Sequence, residues 1–491
     1  MASNNKKPAA KEKAKAKAVN FDSIQATIPN SDPERTKQLL RSLTNQCLEG
    51  TITWDTNNTK TIEAAINVID KKVSEQLNEV LHAPELQALE GSWRGLRYLV
   101  SNTMCSELLK IRVFNTSKKE LFDDMKKALE FDQSYIFKQV YEQEYGMPGG
   151  SPYGLLLGDY LLDSTQPDID FLHQISKVAA ASFAPYVAGI KSSFMGFETW
   201  DELAKPRDLE KIMNSLEYVA WRGFRESEEA SFVALTMPRV LSRLPYGKDT
   251  NPVEQFAFEE APRNKFGKHK AMPNNHFTWM NASYVLGARM TESFFNNGFC
   301  TEVRGVEGGG KVTNLPAYIF QSDKGDFHLQ CPTEVAITDR REFELDNLGF
   351  IPFCHYKNTD YSVIFGGQTT QKALVYDNPS ATSNAAICAR LPYVMVASRL
   401  AHHLKVMGRD KVGSMMELPD VEAWLNGWIG GYVNTNPASG ASLRYSYPLS
   451  AAKIQVEAVP GKPGAYNAIA WIRPWLAMEE LKTSIRLVAE L

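Results

Sequence analysis

One stretch near the C-terminus constrains the fold more than any other. In Lys453-Ile454-Gln455-Val456-Glu457-Ala458 polar and apolar residues alternate without a break. A period of two belongs to a strand with one face on a core and the other in water. Pro460-Gly461-Lys462-Pro463-Gly464 then supplies turn residues, and Tyr466 to Ile472 reads as the returning strand, so a β-hairpin is predicted. The final segment fits two patterns: Thr483, Ile485, Leu487, Ala489 and Leu491 match a strand, while Leu481, Ile485 and Val488 match one face of a helix. We adopt the strand. A chain that stops on a half-apolar strand exposes unpaired backbone groups, which must be covered or must pair with another chain.

The rest of the chain sets broader limits. At 491 residues it is long enough for two to four domains. Apolar residues at 43%, charged residues at 23%, 31 Gly and 25 Pro sit near globular averages, which excludes collagen-like, coiled-coil and wholly disordered classes. The net charge of −3 hides an asymmetry. Met1 to Ala18 carries six lysines against Glu12 alone, a local charge of +5, which leaves −8 on everything after it. A body of that sign is no general polyanion binder, and the Lys/Ala tail has no aromatic or Arg for specific recognition, so no nucleic-acid partner is expected. The six cysteines (Cys47, Cys105, Cys300, Cys331, Cys354 and Cys388) form no C-x-x-C pair, and no apolar run approaches the ~18 residues that span a bilayer. A soluble, cytoplasmic protein without membrane insertion is expected.

Four regions follow from the pattern. Residues 1–20 read as a disordered Lys/Ala-rich tail. Residues 21–83 read as a helical region: Asp32-Pro33-Glu34 opens a helix with Leu39, Leu40, Leu43 and Cys47 on one face, and Ile62, Ala65, Ile66, Ile69, Val73, Leu77 and Leu81 line a second. Such narrow stripes suit pairing with another helix. Residues 84–380 read as a mixed α/β domain. It has a helix through Leu86, Leu89, Trp93 and Leu96, a capping box at Ser117-x-x-Glu120, and helices near 168–190, 208–222 and 279–296. Its strands are placed at Leu108 to Phe114, Gly154–Leu157, Phe232–Thr236, Val335–Thr338 and Ser362–Phe365. Residues 381–491 hold a helix from about Ala385 to Met407 that Pro392 should kink or divide, a Trp-bearing helix around Glu422–Tyr432, and the hairpin. The fold class is α+β.

Candidate chemistry is sparse. Gly305-Val306-Glu307-Gly308-Gly309-Gly310-Lys311-Val312 matches G-x-x-x-x-G-K but has Val312 where a phosphate loop needs Ser or Thr for magnesium. Asn314-Leu315-Pro316 and the strand-like Ala317–Phe320 stand where the helix should begin. A P-loop-like nucleotide-binding enzyme is therefore the alternative, and a structural glycine loop the preferred reading. His402 and His403 are adjacent on a helix and cannot both face one metal. Neither H-E-x-x-H nor G-x-S-x-G occurs.

Several segments together resemble one family. They are His82-Ala83-Pro84-Glu85-Leu86-Gln87 with Leu89-Glu90-Gly91-Ser92-Trp93-Arg94-Gly95-Leu96, then Phe224-Arg225-Glu226-Ser227-Glu228, and Ala234-Leu235-Thr236-Met237-Pro238-Arg239 with Arg243-Leu244-Pro245-Tyr246-Gly247. Cys331-Pro332-Thr333-Glu334, Gly349-Phe350-Ile351-Pro352 and the Pro460–Gly464 turn leading to Arg473-Pro474 continue the series. From about Ile62 to its end the chain resembles the large sheath subunit of the bacterial type VI secretion system (the TssC/VipB family). The resemblance implies contractile-sheath-like mixed domains in a structural subunit, with no catalytic residue, cofactor or metal. Such subunits pair with a small sheath subunit, and the heterodimers join neighbouring sheath protomers in a tube around an inner tube protein, above a baseplate. A hexameric AAA+ disassembly ATPase recognises an N-terminal helix, expected here within residues 21–48. Strands near the C-terminus are exchanged between subunits. With the alternation above, those contacts are expected at Ile454, Val456 and Ala458, at Ala468, Ala470 and Ile472, and at Ile485 and Leu487.

Overall fold

The computed structural model describes residues 33–48, 58–264, 267–322, 324–357, 359, 361–461 and 464–475. These fall into two compact units, one of residues 1–80 with 246–260 and one of 81–245 with 261–491. The Asp32 cap and the terminal segment with Ile485 and Leu487 lie outside the described residues.

In the first unit, helices α1 (Pro33–Leu48) and α2 (Asn58–Leu81) form where the periodicity placed them. Thr61 and Ala65, one turn apart, are buried, whereas Ile62, Ile66, Ile69 and Val73 are exposed. That leaves an aliphatic seam along α2 that nothing among the described residues covers. The segment Tyr246–Glu260 closes on itself: Glu260 N donates to Tyr246 O at 2.9 Å, and the Glu260 carboxylate accepts from Tyr246 N at 2.8 Å.

The second unit is built on a six-stranded sheet. Its principal elements in chain order are α3 (Pro84–Ser101), α4 (Lys118–Lys127), β1 (Leu156–Leu162), α5 (Gln166–Ser182), β2 (Tyr186–Ile190), β3 (Val233–Met237), α6 (Ala282–Asn297), β4 (Lys311–Val312), α7 (Asp339–Asn347), β5 (Phe350–His355) and β6 (Ser362–Ile364). After these come α8 (Pro379–Cys388), α9 (Leu391–Asp410), α10 (Leu418–Gly430) and the hairpin strands β7 (Leu449–Ala458) and β8 (Tyr466–Pro474). The sheet order is β1-β2-β3-β5-β6-β4, parallel as far as β5 and antiparallel across β6 and β4.

Both faces of the sheet are covered, so its inner strands are apolar throughout rather than alternating. Tyr186, Ala188, Val233, Leu235 and Phe350 pack with Ile169, Leu172 and Ile175 of α5. The residues between them, Val187, Ala234, Ile351 and Phe353, pack with Val285, Leu286 and Met290 of α6. Helix α3 lies close on α6 because it presents glycine: a Cβ at Gly95 would overlap the Tyr284 ring, and one at Gly91 the Trp279 carbonyl.

Four expectations need correction. Leu108 to Phe114 forms no strand: Leu108 lies in a bend, and Leu108 and Val113 are exposed. Val335–Thr338 is not a strand; Val335 and Ile337 are buried and Thr338 is the N-cap position of α7. The strand placed at Gly154–Leu157 runs instead from Leu156 to Leu162. The helix near 168–190 ends at Ser182, where Phe183 takes a left-handed φ of 51°, and 186–190 is β2. Pro392 divides the helix after Ala385 into α8 and α9, and the Ser117–Glu120 capping box is present with both bonds made.

Candidate assembly interface

After a register shift between Leu449 and Ala451 the hairpin is a regular ladder from Ala451 to Ala458, with Ile454 opposite Ala470, Val456 opposite Ala468 and Ala458 opposite Tyr466. Its inner face packs on α10. Ile454 and Val456 are buried with Leu425 and Ile429, and Ala470 and Ile472 are half-buried against them. The predicted contact residues Ile454 and Val456 thus point into the chain's own core, while Ala458 and Ala468 are exposed. The outer face carries Ile469 and Trp471, the latter 51% exposed.

The two edges of the hairpin differ. On the β7 side, Asn426 of α10 accepts from Ile454 N at 2.9 Å and donates to Ile454 O at 2.7 Å. One turn earlier, Glu422 accepts from Val456 N at 3.0 Å. The helix therefore satisfies this edge with side chains that imitate a neighbouring strand. Because both main-chain groups of Ile454 face Asn426, Ile454 and Ala470 form a non-hydrogen-bonded pair, in which the partner's groups face away as well. The N–H and C=O groups of Ala468, Ala470 and Ile472 consequently point out from β8, and no hydrogen bond occupies them among the described residues. Glu422 and Asn426 were missed in the sequence. Their signal was a polar i, i+4 pair on a helix otherwise rich in Trp, Leu and Ile.

Two amides of the glycine-rich loop bond to backbone carbonyls. Gly305 N donates to Ile364 O at 2.7 Å and Gly310 N to Gly305 O at 2.9 Å, with Gly305 and Gly309 at left-handed φ of 76° and 81°. Lys311 begins β4 rather than a helix, and its ammonium sits 4.3 Å over the Tyr361 ring. The geometry is that of a turn that brings β4 beside β6, with no cradle for a phosphate. His402 is buried with Nε2 2.8 Å from Ser182 O, and His403 lies near Trp428. Among the described residues no group of His, Cys, Asp or Glu is arranged to hold a metal ion, and no helix is long and apolar enough to cross a membrane. The acidic cluster on α7 is structural: Asp346 pairs with Arg390 at 2.5 Å and accepts from Gly367 N and Gln368 N. Nearby Glu342 is pushed up to about 7, first by burial and then by Asp346 and Asp339.

Known proteins match most of the chain. Residues 63–371 match the family model of the EvpB/VC_A0108 tail sheath N-terminal domain, and residues 380–491 that of the EvpB/VC_A0108 tail sheath gpW/gp25-like domain. The type VI secretion system sheath protein TssC1 of Pseudomonas aeruginosa is 44% identical over 461 residues, 93% of this chain and 91% of that one. Two solved structures at 11% identity each give a TM-score of 0.35. The contracted sheath complex of the PVC extracellular contractile injection system covers 65% of this chain and 68% of its own. The baseplate of the anti-feeding prophage covers 66% and 67%. The matched domains and the close relative settle the family: the chain belongs to the VipB/TssC family of large sheath subunits of the type VI secretion system.

Proposed function

We propose that the chain acts as scaffold rather than enzyme, joining a small sheath subunit and neighbouring copies in a cytoplasmic tube that contracts around an inner tube, with a strand of a neighbouring chain adding to β8. The observation that carries this is the difference between the hairpin's edges. The β7 edge is occupied by Asn426 and Glu422, whereas β8 presents six outward main-chain groups on Ala468, Ala470 and Ile472. An added strand would satisfy those groups, at roughly 0.5–1.5 kcal/mol net for each bond. Main-chain pairing of this kind tethers neighbours while their domains rotate as rigid bodies, so contraction needs energy stored at assembly and no nucleotide on this chain. The exposed Ile62–Val73 seam of α2 supports pairing with a helix of the small subunit. Recognition by a disassembly ATPase within residues 21–48, and contacts to baseplate and inner tube, complete the reading.

The test is co-expression with a small sheath subunit, followed by electron microscopy. Hollow tubes are expected from the native chain. Ala470→Pro should fold, because that N–H is not in the β7–β8 ladder, yet form no tubes. Normal tubes from Ala470→Pro would refute strand addition at β8, and no tubes from any variant would refute the sheath reading.

A further inference from the structure

The first matched domain ends at residue 371 and the second begins at residue 380. Just before this joint, residues 366–370 form a strap in which every residue is buried. The strap is bonded to the chain beyond the joint: Thr369 N donates to Ala389 O at 3.0 Å, and Leu391 N donates to Gly367 O at 2.8 Å. Asp346 of α7 closes the arrangement. Its Oδ1 accepts from Gly367 N at 3.0 Å and from Gln368 N at 3.1 Å, and its Oδ2 accepts from Arg390, the N-cap residue of α9, at 2.5 Å. One carboxylate thus ties the end of the first domain to the head of a long helix of the second.

Glu342, one turn earlier on α7, crowds that carboxylate. A Cβ at Gly366 would stand 2.5 Å from Asp346 Oδ1 and 3.3 Å from Glu342 Oε1, which puts the two oxygens within about 6 Å of each other. A buried and a half-buried carboxylate at that range cannot both ionise without cost. Asp346 has three donors, whereas among the described residues no hydrogen bond reaches the Glu342 carboxyl, so the charge belongs to Asp346 and the proton to Glu342. The other groups facing Glu342 are Asp339 on α7, Arg304 ahead of β4, Arg390, and the Cys354 thiol of β5, which burial keeps neutral. Burial first, then Asp346 and Asp339, push Glu342 up to about 7 against the pull of Arg304 and Arg390. We propose that Glu342 is a proton-operated latch on the joint between the two domains: protonated, it leaves Asp346 on Gly367, Gln368 and Arg390; ionised, it repels Asp346, competes for Arg390 and frees the strap. The closed joint holds the Glu342 proton more tightly than an open one in which the carboxyl reaches water. Closure is therefore strongest below about 4.5 and weakens as pH rises through 7. Acidification stiffens the link between the domains and alkalinisation loosens it. The latch goes beyond the sheath reading and does not depend on strand addition at β8.

Residue-resolved amide exchange in the full-length, unassembled chain tests the latch at pH 5.5 and pH 8, with each rate divided by its intrinsic value at that pH. Protection of Gly367 and Gln368 should fall by at least about tenfold between the two, while the amides of residues 451–458 in β7, far from any titrating partner of Glu342 in sequence, change by less than about threefold. In Glu342→Gln, which has no proton to lose, the strap should stay protected at both. Equal protection at both pH values in the native chain overturns the proposal, and so does the same fall in Glu342→Gln. Should that variant fail to fold, the native chain decides alone. A fall in which Thr369 and Leu391 follow Gly367 and Gln368 while β7 stays level supports the latch, and a fall of equal size in β7 overturns it.

Discussion

Removing Asn426 should uncouple the hairpin from α10 in a way that can be calculated. Its side chain makes two bonds to Ile454, whose residue surface is fully buried, and a third to Glu422 O at 2.9 Å. In Asn426→Ala the N–H and C=O of Ile454 both lose their partner, at roughly 1–3 kcal/mol for each buried orphan. Water entering the vacated space recovers part of this, so local stability should fall by about 2–4 kcal/mol. Since 1.4 kcal/mol is tenfold, amide hydrogen exchange in residues 449–458 should accelerate by roughly 30- to 1,000-fold. The uncapped β7 edge should also drive concentration-dependent self-association, visible by light scattering. Glu422→Gln keeps an acceptor for Val456 N and should exchange almost as the native chain does. Exchange in Asn426→Ala within about threefold of native would show that the side chain does not hold this edge.

Other consequences are as specific. Gly95→Leu should destabilise the second unit by about 1–3 kcal/mol or more, read from its melting midpoint, because the new side chain meets the Tyr284 ring. Glu342 titrates near 7 in the folded chain, above its ordinary value, so its contribution to stability is complete below about 4.5 and is lost as pH rises through 7. Glu342→Gln should therefore flatten the pH dependence of denaturant midpoints across that window and raise them at pH 8. Magnesium–ATP should leave the melting midpoint unchanged, and Lys311→Met should cost under about 1 kcal/mol, the loss of a cation–π contact with Tyr361.

What the sequence revealed depended on how local the determining physics is. The hairpin, the Ser117–Glu120 cap and the Pro392 break were legible because alternation, a reciprocal side-chain cap and a missing N–H act within a few residues. Strands at Leu108 to Phe114 and Val335–Thr338 failed because a ladder needs a partner elsewhere, and composition carries no information about one. The turn at Phe183 was invisible because an aromatic residue takes the left-handed conformation usually left to glycine. The hairpin's contact face was only half legible. Alternation sorted its side chains into two faces, but which edge is capped depends on Asn426, 28 residues away in sequence.

In the proposed sheath β8 is the edge that receives a neighbouring strand, and hydrogen exchange reads that edge directly. In the free chain the amides of Ala468, Ala470 and Ile472 should exchange quickly, while those of Asn467, Ile469 and Trp471, held in the ladder, exchange slowly. On assembly into sheaths the first set should become protected by at least about a hundredfold. Tubes in which Ala468, Ala470 and Ile472 exchange as fast as in the free chain would contradict the account.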